Sequence, residues 1–189
     1  MTAVAGGAGT AGGPLRSGGV TPPRNRPPGV ADERTQLVGW LDLQRALVHY
    51  KCEGLAEEDA HRALLPTSPD MTVAGLVNHL RWVEHCWFDV LFLGRPADGN
   101  PQFGADAAAD PRVGDTPLAQ LLDEYARQCA ASNAIVAAAD LDDLGRNAEY
   151  GADGLTLRWI LLHLVEEVAR HVGHLDLLRE QLDGTTGYY

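Results

Sequence analysis

The chain has 189 residues, 45% of them hydrophobic, a length that suits one domain with a sizeable core. Its formal net charge of −11 argues against nucleic acid as a partner, since phosphate binding wants a basic face. Cys52, Cys86 and Cys129 are widely spaced and form no CxxC pair, which speaks against a zinc ribbon or a disulfide framework and for a reducing, cytoplasmic setting.

Residues 1–30 are mostly Gly, Pro, Ala and Thr, with Arg16, Arg24 and Arg26 among them. Such a segment buries too little apolar surface to offset its ordering entropy, so a disordered tail is expected. It lacks the basic start and apolar core of a secretory signal. Residues 31–189 are read as one helical domain. No run of about 18 apolar residues occurs, so no membrane span is expected.

The first helix is predicted over about 32–54. Leu37, Leu41, Gln44, Val48, Cys52 and Leu55 recur every three or four residues, Asp32 serves as N-cap and Gly54 as stop. A loop with Pro66, Ser68 and Pro69 leads to a second helix capped by Thr72. Its apolar face is Leu76, Leu80, Val83, Trp87, Val90 and Leu91, and Gly94 and Pro96 end it. A connector of some twenty residues follows, long enough to mean a crossover or a functional loop. Thr116, as capping hydroxyl, and Pro117 open a third helix running to about Ala139. Thr156 caps a fourth, which ends before Gly184. No segment alternates with period two long enough to make a strand. Four helices with a long link between the second and third predict an all-α four-helix bundle with a crossover.

The fourth helix carries His163, Glu167, His171 and His174, spaced four, four and three residues apart. Those steps return to one helix face. Ile160, Leu177 and Leu178 share that face, so the polar row is expected to continue a core-facing stripe. Burying such groups unpaired costs on the order of several kcal/mol. A metal ion removes that cost. Glu167 and His171 present two ligands from successive turns, and His79, at the edge of the second helix's core face, is the best third. Two nitrogens and one oxygen leave a position open for water or substrate, the pattern of catalytic zinc. Nickel, iron or manganese tolerate the same donors. His163 and His174 are alternative ligands or outer partners of the ligands. His85 is expected to point outward. The competing reading has ordinary satisfied core groups, with Glu167 paired to Arg170 or Arg158.

The segments ERTQLVGWLDLQRALVHYKCEGL, TVAGLVNHLRWVEHCWF and LRWILLHLVEEVARHVGHLDLLREQLDG resemble the DinB/YfiT-like superfamily, and within it the actinobacterial branch related to mycothiol-dependent enzymes. The resemblance spans about 32–187. It implies a bundle with a divalent metal near one end, held by a histidine of the second helix and an H/E-x-x-x-H pair of the last. His79, Glu167 and His171 match those positions. The glutamate resembles that of mycothiol-dependent maleylpyruvate isomerase, while His174 stands where many relatives carry glutamine. The implied chemistry is transfer of a low-molecular-weight thiol, such as mycothiol or bacillithiol, to an electrophilic small molecule. Arg170, or else Arg81 or Arg158, is a candidate to bind a carboxylate of the thiol cofactor or the substrate. Trp82, Trp87 and Trp159 are candidates for a pocket wall or for core. The alternatives are a metal-dependent hydrolase or isomerase using metal-bound water, and a non-catalytic metal- or ligand-binding bundle. Bundles of this kind can form homodimers, although no sequence signature for one is present.

Overall fold

In the computed structural model the described residues are 22–97, 99–106 and 109–187. Residues 1–21, most of the expected tail, lie outside them. Residues 22–30 form no helix or strand, yet they touch the first helix: Arg24 lies 3.7 Å above the Tyr50 ring, and Pro27 sits against Gly39.

Four long helices form the fold: α1 (Glu33–Cys52), α3 (Val73–Glu84) continued by a π-helical stretch (His85–Phe92), α4 (Leu118–Ala137) and α5 (Leu157–Asp183). A four-residue turn, α2 (Glu57–Ala60), interrupts the first loop. There is no strand among the described residues, only an isolated bridge between Leu144 and Thr156. The protein is thus the expected all-α, DinB-like bundle.

The caps follow local chemistry. Asp32 accepts from the Thr35 amide, Thr72 from Gly75 and Thr156 from Trp159, each satisfying an orphan N–H of the first turn. The fourth start differs from expectation. No Thr116 hydroxyl caps α4; the Glu57 carboxylate of α2 accepts from the Leu118 amide at 2.8 Å. The loop helix missed in the sequence therefore supplies the cap.

Contacts define the helix directions. Arg158 at the start of α5 bonds Glu33 at the start of α1 (2.7 Å), and Arg179 near its end bonds the Glu53 carbonyl (3.1 Å). These two helices run parallel. Arg81 pairs with Glu124 at 2.7 Å and Gln128 bonds Asp89 at 3.0 Å, so α3 and α4 also run parallel. The two pairs oppose each other. A parallel pair cannot be joined by a tight turn, and residues 93–117 must travel back along α3 to start α4.

The core is built from Leu41, Leu47, Leu80, Phe88, Tyr125, Ile160, Leu164 and Leu175, all nearly free of solvent contact. Ridge-forming spacing accounts for most of it. The π stretch does not follow that spacing. A wider turn delays the register of every later residue, so Phe88 and Phe92 enter the core while Trp87, expected there, is only half-buried. Across the middle, Arg45 of α1 forms a two-pronged contact with Glu84 of α3, at 2.7 Å to each oxygen, both groups buried.

Candidate metal centre

His79 stands two turns into α3, and Glu167 and His171 stand on successive turns of α5. Because α3 and α5 run antiparallel, these turns face each other. The Nε2 of His79 lies 3.4 Å from Glu167 Oε1, and the Nε2 of His171 lies 3.1 Å from the same oxygen. One candidate ligand atom from each of the three falls within 4.8 Å of the others. The imidazole rings of His79 and His171 meet edge to face at 4.7 Å. The side chains keep 21%, 17% and 12% of their surface for His79, Glu167 and His171, so the cluster opens to solvent on one side.

The outer nitrogens are also held. Asp110 Oδ2 lies 2.7 Å from His79 Nδ1, which then donates its N–H and leaves Nε2 as the nitrogen that faces the cluster. Gln102 donates to the same Asp110 oxygen at 2.7 Å, and Asn78 donates to the Asp110 carbonyl at 2.6 Å. His174 Nδ1 lies 3.2 Å from His171 Nδ1, so His171 too turns Nε2 inward. Asp110 and Gln102 come from the crossover. Nothing in their spacing marks them, because only the path of the connector brings them to His79. A long loop with an acidic residue was the one available signal.

Charge and burial shift the titrations. Burial opposes a proton on His79, but the hydrogen bonds to Asp110 and Glu167 and their negative charge outweigh it, and the pKa rises to about 9. The hydrogen bonds from His171 and His79 hold the Glu167 carboxyl well below the usual range, against its own desolvation. Burial, then the neighbouring His171 and Arg170, lowers His174, which keeps it neutral near pH 7. Three residues that could compete for a proton or a cation are thus arranged as a carboxylate between two imidazoles.

Other expected residues sit elsewhere. His163 does not bond Glu167. Its ring packs against Trp87 and Trp159, and its nearest carboxylate is Glu166 at 3.8 Å. The row on α5 is half-buried rather than central to the core stripe, and Leu177, expected inside, is 64% exposed. A row rotated to the edge stays reachable by ligands. His85 is half-buried, not outward, with Asn100 of the crossover 3.1 Å from its Nδ1. Glu167 takes neither arginine as partner: Arg170 is exposed and bonds Glu166 (3.0 Å), and Arg158 bonds Glu33.

The cysteines offer no nucleophile. All three are free, and burial pushes the Cys52 and Cys86 thiols up to about 12 and Cys129 higher still.

The family model for mycothiol-S-transferase matches residues 36–184, most of the chain. The chain belongs to the mycothiol-S-transferase family. Membership assigns it, at family level, a thiol-related transfer function with a small thiol as partner. The matched span runs from α1 to the end of α5 and includes the crossover with Asp110. No curated protein matches the chain, and no solved structure does. No helix among the described residues is long and apolar enough to cross a membrane.

Proposed function

We propose that the protein is a divalent-metal-dependent transferase that joins a mycothiol-like thiol to an electrophilic small molecule. The observation that carries this reading is the convergence of His79 Nε2, His171 Nε2 and a Glu167 oxygen within 4.8 Å, in a chain of a thiol-transferase family. Two imidazoles and one carboxylate suit zinc in a catalytic setting, and they also accept nickel, iron or manganese. The donor set fits the group: both imidazoles already have Nδ1 occupied by outer partners, so their Nε2 lone pairs are the ones left to donate.

A cation held by His79, Glu167 and His171 would supply Lewis acidity, which stabilises the thiolate form of a thiol at neutral pH. The rest falls to the chain. His79, Glu167 and His171 would hold that cation at the open edge between α3 and α5. Asp110 and Gln102 keep the His79 ring from rotating. The half-exposed edge between α3 and α5 lets thiol and electrophile approach together, which replaces a two-body encounter by a positioned one. The thiol loses its proton to solvent water, the thiolate sulfur forms the new bond to the electrophilic carbon, and the bond from that carbon to the leaving group breaks, the group (chloride for chlorodinitrobenzene) departing to solvent with the electron pair.

The test combines metal analysis with turnover. His79→Ala, Glu167→Ala and His171→Ala, purified without a histidine tag, are each expected to hold less than about one-tenth equivalent of metal. Wild-type protein reconstituted with zinc is expected to speed the reaction of mycothiol with chlorodinitrobenzene. Full metal retention in all three variants, or no rate above background across several metals and thiols, sinks the reading.

A further inference from the structure

Eight residues along each helix from the His79–Glu167–His171 cluster, the same seam holds a second group. Trp87 of the π stretch takes the place equivalent to His79, and Trp159 and His163 take those of Glu167 and His171. The Trp87 ring lies 4.5 Å from His163 and 5.5 Å from Trp159, and Trp159 stacks on His163 at 5.4 Å with 21° between planes. This is a continuous aromatic surface. It begins one turn of α5 from Glu167, about 6 Å along the axis.

The surface is open. Trp159 keeps 44% of its area exposed and the His163 side chain 27%. Phe103 packs, as Trp87 does, against the small cluster of Cys86, Leu91 and Ala152, and meets Tyr150, which is 50% exposed, at 4.7 Å. Large rings left wet beside a cluster of ligand atoms, as Trp159 and Tyr150 are, suit a binding wall. The π turn matters here, because it leaves Trp87 half-buried, packed on the core by one side and against Trp159 and His163 by another. The indole faces carry negative quadrupole, so they attract rings depleted of electron density.

We propose that Trp87, Trp159 and His163 form the shelf on which the acceptor lies, and that the acceptor is a planar, electron-poor aromatic compound. The role as acceptor shelf rests on the transferase reading above; the preference for flat electron-poor rings does not. The probe is 1,3-dinitrobenzene, which has no leaving group and no acidic proton to engage a metal. Its binding is followed by ligand-observed NMR titration on the full chain, with and without chelator. Saturable binding is expected, unchanged by chelator and weakened about ten-fold or more in Trp159→Ala. Trp159→Phe is expected to stay within about three-fold of wild type, and Trp40→Ala, on exposed α1 surface, to match it. Melting temperatures of all variants identify any that misfold. Wild-type affinity in Trp159→Ala, or equal binding of the non-planar nitrocyclohexane, overturns the shelf even when the metal variants behave as expected. Metal retained in the triad variants together with normal dinitrobenzene binding overturns the transferase reading and leaves the shelf standing.

Discussion

Protons and a cation compete for the same nitrogen of His79. Its pKa of about 9 arises from Asp110 and Glu167 overcoming burial, so at pH 7 a cation must displace a proton. Metal binding is therefore expected to release close to one proton at pH 7 and to tighten as pH rises towards 9. Calorimetry in buffers of different ionisation enthalpy counts that proton. The same shift acts on stability. A histidine raised above its unfolded value of about 6.5 stabilises the fold fully below that pH and loses its contribution as pH climbs through about 9. Glu167, held low, contributes above its unfolded pKa of about 4.3 and loses that contribution as pH falls. Chelator-treated protein is thus expected to melt highest between about pH 4.3 and 6.5, and lower at pH 9. A melting temperature that is flat from pH 6 to 9 speaks against the His79 assignment.

The crossover is the element on which the site depends. It lies along α3 because the parallel α3–α4 pair leaves it no shorter route, and two features keep it there. Asn78 holds the Asp110 carbonyl. Gly75 permits close approach: a Cβ at that position meets the Asp70 carbonyl at 2.4 Å and the Pro111 carbonyl at 2.8 Å. Asp110→Asn is expected to weaken metal binding about 10- to 100-fold, the usual cost of losing an outer partner of a ligating histidine, while the helical circular dichroism stays unchanged. Gly75→Ala pushes directly on the residue after Asp110. It is expected to lower both metal affinity and melting temperature, and a variant with wild-type affinity shows that the connector is not pinned there. The capping of α4 by Glu57 follows the same logic, since an acid in one loop serves a helix sixty residues later.

At the scale of the whole molecule, the Arg45–Glu84 contact ties the α1–α5 pair to the α3–α4 pair through the dry centre. Asn133 of α4 adds a third tie to Arg45 at 2.7 Å. Glu84→Ala takes the two-pronged partner from a buried guanidinium that keeps only the half-exposed Asp42 (2.9 Å) and Asn133, and breaking such a buried pair typically costs about 3–5 kcal/mol at most. Urea denaturation is expected to show that loss, and a change under about 1 kcal/mol means that Arg45 finds other partners.

The four long helices and most of their caps were legible because they depend on neighbours three or four residues away, and the row of α5 was legible for the same reason; the short α2 was not. Asp32, Thr72, Thr156 and Gly184 act on their own turns. The crossover was legible from its length alone. Family-specific segments pointed to His79 as the partner of Glu167 and His171, a pairing that spacing could only suggest. Three things depended on tertiary structure. The π stretch left Trp87 half-buried at the edge of the core, which 3.6-residue periodicity cannot anticipate. The α5 row came to rest at the edge of the core, with His163 among tryptophans rather than beside Glu167. Asp110 reached His79 only through the return path of the connector. Local chemistry is written in adjacent residues, whereas the meeting of distant side chains is decided by helix direction and packing, to which every residue contributes and which no short stretch encodes.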